Sequence, residues 1–147
     1  MKKPLLILVF TLFLASFSSS AQEDTEDTTV NTTQTGTICF IRSTGFVGSA
    51  SAFKTFIDEQ FVCKLNNKKY SYHEVPVGMH QCSVQFGGKK SKEKAEKFEV
   101  EVTAGKITYV QVVFETGAFI NNVYCEEVTE NTAARKMENL QEDTKCL

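Results

Sequence analysis

Pro76-Val77-Gly78 leads directly into Met79-His80-Gln81-Cys82-Ser83-Val84-Gln85-Phe86, and this junction restricts the chain to a β architecture. Pro76 presets its own φ, and Gly78 can adopt a positive φ without a steric penalty, so the tripeptide is built to turn. Beyond it, Cys82, Val84 and Phe86 recur every second residue, the spacing that places side chains on one face of a strand. The same alternation appears at Phe98, Val100 and Val102, with Glu99 and Glu101 between them, which predicts a strand with one wet face. Ile107 to Phe114 is apolar on both faces and reads as a central strand. Further strands are predicted near 37–42, 53–58, 61–65, 69–75, 79–86 and 119–126, separated by turn signals at Asp58-Glu59, Asn66-Asn67 and Gly87-Gly88. Many short strands at this spacing predict a small antiparallel β-sandwich of about seven to eight strands, Ig- or transthyretin-like. Twelve Phe and no Trp suit a core of packed rings.

Residues 129–147 break the alternation. Ala133, Met137, Leu140 and Thr144 fall at helical spacing, Thr129 suits an N-cap, and Glu130 suits the positive end of the helix dipole. A C-terminal helix is therefore predicted, packed on its own domain or on a partner.

The amino-terminal end reads as an export signal. Lys2 and Lys3 precede an apolar stretch from Leu5 to Phe17, and Ser19-Ser20-Ala21 offers small residues for cleavage before Gln22. The stretch is shorter than the about 20 residues a membrane span requires. The first cysteine, Cys39, lies too far downstream for lipid attachment. The expectation is a signal peptide over 1–21 and a protein that is exported, periplasmic or extracellular, without being a lipoprotein. Residues 22–35 are dominated by Thr, Asp, Glu, Gln and Asn and predict a disordered polar tail before a sandwich over 36–128. Asn31-Thr32-Thr33 and Asp27-Thr28-Thr29 are short matches to glycosylation sites within it. Setting aside Lys2 and Lys3, 14 basic residues stand against 18 acidic, a formal charge of −4 that offers nothing to nucleic acid.

Three segments, in order, resemble the PEGA-like domains of bacterial envelope proteins. These are the hairpin Phe53-Lys54-Thr55-Phe56-Ile57-Asp58-Glu59-Gln60-Phe61-Val62-Cys63-Lys64-Leu65, the turn Pro76-Val77-Gly78 with His80, and the strand start Ala104-Gly105-Lys106-Ile107-Thr108-Tyr109. The resemblance covers roughly residues 36–126. It implies a β-sandwich and no established activity. The chain departs from the family's Asp-Gly turn by carrying Asp58-Glu59.

Few residues invite chemistry. Five cysteines are present. Cys39, Cys63, Cys82 and Cys125 are read as core thiols or disulfide partners, and Cys146 as an exposed thiol or an intermolecular bridge; with no Cys-x-x-Cys motif, redox chemistry is the least favoured role. His73, Glu74 and His80 flank the Pro-Gly turn and offer a rival reading, a small metal-dependent hydrolase, although His73 and His80 match no ligand spacing and His80 suits a structural hydrogen bond. Lys89, Lys90, Lys92, Lys94 and Lys97 form a basic run interrupted by Glu93 and Glu96. That run could attract an anionic glycan or headgroup, or simply keep the strands soluble. The loop Thr44–Ser49 carries two glycines but no P-loop lysine. No cofactor is expected. The preferred reading is a non-enzymatic exported interaction or structural module of the bacterial envelope, with an unidentified protein or glycan as partner.

Overall fold

The computed structural model describes residues 34–46, 48–86, 89–90, 98–116 and 121–146. The signal peptide, most of the polar tail with its glycosylation motifs, the Gly87-Gly88 turn, and Lys92, Lys94 and Lys97 lie outside the described residues.

Among the described residues, ten strands and one helix follow in order: β1 (Thr35–Arg42), β2 (Phe53–Ile57), β3 (Gln60–Leu65), β4 (Lys69–Pro76), β5 (Gly78–Phe86), β6 (Lys89–Lys90), β7 (Phe98–Val102), β8 (Ile107–Thr116), β9 (Asn121–Val128), α1 (Glu130–Met137) and β10 (Gln141–Glu142). One sheet runs β10-β4-β1-β8-β9. The other runs β3-β2-β5, with β6 and β7 each pairing to β5. The sandwich is thus as expected, with one correction. The first sheet is mixed, because β1 runs parallel to β8 and β10 runs parallel to β4. A parallel neighbour requires a long crossover, and here the whole second sheet lies between β1 and β8 in sequence.

Period two decides what each face buries. Ile38 and Phe40 of β1 point between the sheets with Val110 and Val112 of β8, and meet Phe53, Leu65, Cys82, Val84, Val100 and Val102 from the opposite layer. The rings of Phe53, Phe86 and Phe114 form a cluster with centroids 4.8, 5.2 and 5.5 Å apart. Each such pair contributes about 0.5–1.5 kcal/mol beyond its buried area. Phe61 does not share the buried face that period two gives Cys63 and Leu65. A register shift between Thr55 and Phe56 pairs Phe56 with Phe61, and Phe61 is left exposed while Cys63 and Leu65 are buried.

The other face of the mixed sheet is covered by α1. Ala133, Met137 and Leu140 lie on Cys39, Ile41, Tyr70, Tyr109 and Val128, so the helix docks on its own domain. Thr129 caps it by accepting from the Thr132 amide. The helix is shorter than its predicted span. After Met137 the chain turns, adds β10 to the edge of β4, and continues to Cys146. An eight-residue helix is marginal alone, so the pairing with β4 prevails once the apolar stripe is satisfied. No described helix is long and apolar enough to cross a membrane.

Candidate functional site

The β3 and β4 edges of the two sheets leave a cleft of about 780 Å³ between them. Ile57, Val62, Val75 and Pro76 give it apolar walls, while Asp58, His73, His80, Glu142, Asp143 and Thr144 bring polar groups. It gathers the predicted His73, Glu74 and His80 into one place, and then assigns them different tasks.

His80 joins two turns. Its Nδ1 lies 2.6 Å from Asp58 Oδ2, and its Nε2 lies 2.7 Å from the Pro76 carbonyl oxygen. A carboxylate and a carbonyl are both acceptors, so each ring nitrogen faces a group it can donate to, a setting that favours the imidazolium. Burial alone would pull the His80 pKa down, but the Asp58 hydrogen bond and charge and the Pro76 carbonyl outweigh it and raise it. Burial would likewise raise the Asp58 pKa. The Gln81 amide, which donates to Oδ1 at 2.8 Å, and His80 hold it below the usual carboxylate range instead. Asp58 sits with Glu59 in a two-residue hairpin turn in which both have positive φ, 48° and 65°. That conformation costs a non-glycine residue about 1–2 kcal/mol. At Asp58 the cost is offset by its links to Gln81 and His80, and this is why the turn works without glycine. The Pro76-Val77-Gly78 turn behaves as expected, with Gly78 at φ 133°.

His73 and Glu74 part company because they are sequence neighbours on a strand. His73 turns inward, its Nε2 2.9 Å from Ser71 Oγ and its ring edge-on to Phe40. Burial lowers its pKa and keeps it neutral. Glu74 turns outward and accepts from Thr35 Oγ1 at 2.6 Å. The three residues do not converge on one point.

The cysteines resolve into two kinds. Cys63 of β3 and Cys146 form a disulfide across 83 positions of sequence, tying the C-terminal segment on the mixed-sheet edge to the edge of the opposite sheet. This corrects the expectation of an exposed thiol or an intermolecular bridge at Cys146: the C-terminal segment folds back along the mixed-sheet edge and brings it to Cys63. Cys39, Cys82 and Cys125 are buried free thiols. Burial pushes Cys39 and Cys82 up to about 12, and Cys125 well above its ordinary value, so all three are inert core residues.

Arg42 was not legible as special in the sequence, although it continues the inward face of Ile38 and Phe40. It is fully buried, donates to the carbonyls of Leu65 at 2.6 Å and Gly48 at 2.7 Å, and stacks 3.6 Å from the Phe53 ring centre. Burial lowers its pKa to about 10, which leaves it charged at neutral pH. Its two carbonyl contacts lock the loop after β1 to the end of β3. Lys89 and Lys90, from the predicted basic run, form β6 against Gln85 and Phe86.

Two facing sheets, an interlayer cleft and a disulfide-tied edge define a small β-sandwich domain. The chain belongs to the family described as a protein of unknown function, DUF2846, which matches residues 32–125. The match ends within β9, before α1 and Cys146. No curated protein and no solved structure matches the chain.

Proposed function

We propose that this chain is a non-enzymatic interaction module, exported to a bacterial cell envelope, that receives a protein or glycan partner at the cleft between its sheets. The observation that carries this reading is the state of His80. A catalytic imidazole must offer a ring nitrogen to its substrate. Here both nitrogens are committed to Asp58 and Pro76, so the ring serves to join two turns. Those turns lie in two of the three segments that resemble PEGA-like domains. Export is supported by the Lys2–Ala21 signal pattern and by the Cys63–Cys146 disulfide, a bond that persists in oxidising compartments. The rival hydrolase lacks a shared focus for His73, Glu74 and His80.

The test is to titrate the chain, disulfide intact, with soluble peptidoglycan fragments and separately with purified envelope proteins, following amide NMR signals. Shifts confined to cleft residues such as Val62, Tyr72, Val75 and Thr144 are expected. Turnover of ester, peptide or glycan substrates that disappears in His80→Ala would overturn the reading, as would an absence of cleft shifts with every probe.

A further inference from the structure

We propose that Cys63 and Cys146, once reduced, form with Asp143 a three-ligand site for Zn²⁺ whose fourth position opens into the cleft. The two sulfurs and a carboxylate oxygen of Asp143 all lie within 4.8 Å of one another. In a tetrahedral zinc site with bonds of about 2.3 Å to sulfur, two thiolates stand about 3.8 Å apart. The Asp143 oxygen is therefore within about an ångström of coordinating spacing, while the two sulfurs, held at bonding distance by the disulfide, reach that spacing only when reduction lets them separate.

The surroundings fit a metal site in three respects. Asp143 and Cys146 are three residues apart in one turn, closed by the Cys146 amide donating to the Asp143 carbonyl at 3.4 Å. That turn is fixed to the sheet by the Asp143 amide, which donates to the Tyr70 carbonyl at 2.8 Å. Cys63 approaches from a rigid strand of the opposite layer. Asn66 Nδ2 reaches Asp143 Oδ2 at 3.5 Å, the kind of outer contact that orients a ligating carboxylate. Cys63 is buried while Asp143 and Cys146 are half-buried and line the cleft, so the side left open faces the cavity. Three protein ligands with an open position are the arrangement of zinc sites that bind an exchangeable group.

The chemistry balances with a dithiol reductant. Its thiolate attacks one sulfur of the disulfide, a mixed disulfide forms, and its second thiol resolves it. The chain gains two thiols and the reductant becomes a disulfide. Zn²⁺ then displaces one proton from each thiol, and the Asp143 side chain completes the set. The same sulfurs thus lace the two sheets when oxidised and hold a metal when reduced.

The test uses the full chain reduced with a phosphine under anaerobic conditions and titrated with Co²⁺, then with Zn²⁺ in competition. A thiolate-to-cobalt charge-transfer band saturating at one metal per chain is expected, with no band in the oxidised chain or in Cys146→Ser. Reduced wild type and Cys146→Ser share a disulfide-free background, so metal should raise the unfolding midpoint of the first only. Asp143→Asn should weaken binding by about tenfold or more, the range seen even for outer-sphere partners. Failure of the reduced, folded chain to bind Co²⁺ while both thiols react with an alkylating agent would overturn the proposal. Undiminished binding in Cys146→Ser would do the same.

Discussion

Cutting the Cys63–Cys146 bridge offers the sharpest test of how this domain is held together. The bond closes a loop of 83 residues of sequence separation. In the chain-entropy account, cross-linking removes −2.1 − 1.5R ln n cal/mol/K from the unfolded ensemble, which for this loop is about 15 cal/mol/K, or about 4.5 kcal/mol at 25 °C. Cys146→Ser isolates this effect better than Cys63→Ser, because Cys146 is half-buried whereas Cys63 lies in the core and would bury a hydroxyl. Loss of about 2–4.5 kcal/mol is expected, the span between measured bridges and the entropic limit. Guanidinium unfolding of wild type, reduced wild type and Cys146→Ser measures it. The two disulfide-free proteins should agree, with a lower midpoint and a somewhat larger m value than oxidised wild type, because their unfolded chains expose more surface. A difference below about 1 kcal/mol would refute the reasoning, since a long-loop bridge cannot act so weakly unless the C-terminal segment is not held at β3.

Three other outcomes follow from individual contacts. Arg42→Met keeps the volume but leaves the Leu65 and Gly48 carbonyls without their donor, and should destabilise by about 2–4 kcal/mol in denaturant unfolding. Glu59→Gly relieves a side chain held at positive φ and should stabilise by about 0.5–1 kcal/mol; a loss would show that the turn depends on Glu59 itself. The His80–Asp58 pair makes stability depend on pH at both ends. With a folded pKa raised above 6.5, His80 contributes fully below 6.5 and loses that contribution as pH rises through its folded pKa. Asp58, lowered from 3.8, contributes above 3.8 and loses it as pH falls through its folded pKa. The advantage of wild type over His80→Gln should be largest between these limits and shrink toward alkaline pH, and NMR titration of the His80 ring reads the upper limit directly.

Much of the fold was legible because strand periodicity is local. Cys82, Val84 and Phe86, or Val100 and Val102, declare their buried face whatever they pack against. The Asp58-Glu59, Asn66-Asn67 and Pro76–Gly78 turns are equally local, and each separates the predicted strands. The helix was foreseen from its cap and stripe, yet its early end was not, because β10 forms only where β4 offers a free edge. At the site, the sequence suggested a hydrogen-bonding role for His80 but gave no sign that Asp58, 22 positions away, was its partner. Arg42 looked like a strand end, and only its enclosure between two sheets makes it a clamp.

The sequence by itself determined the class of architecture, the inward faces of the strands and the turns that separate them, since these depend on dihedral preference and period two. The tertiary structure alone decided that β1 runs parallel to β8, that His73 and Glu74 diverge about one sheet, and that Cys63 meets Cys146 beside Asp143. Those contacts join residues tens of positions apart, and no local spacing encodes them. They arise from the way two sheets, packed to bury a common apolar face, bring their edges together.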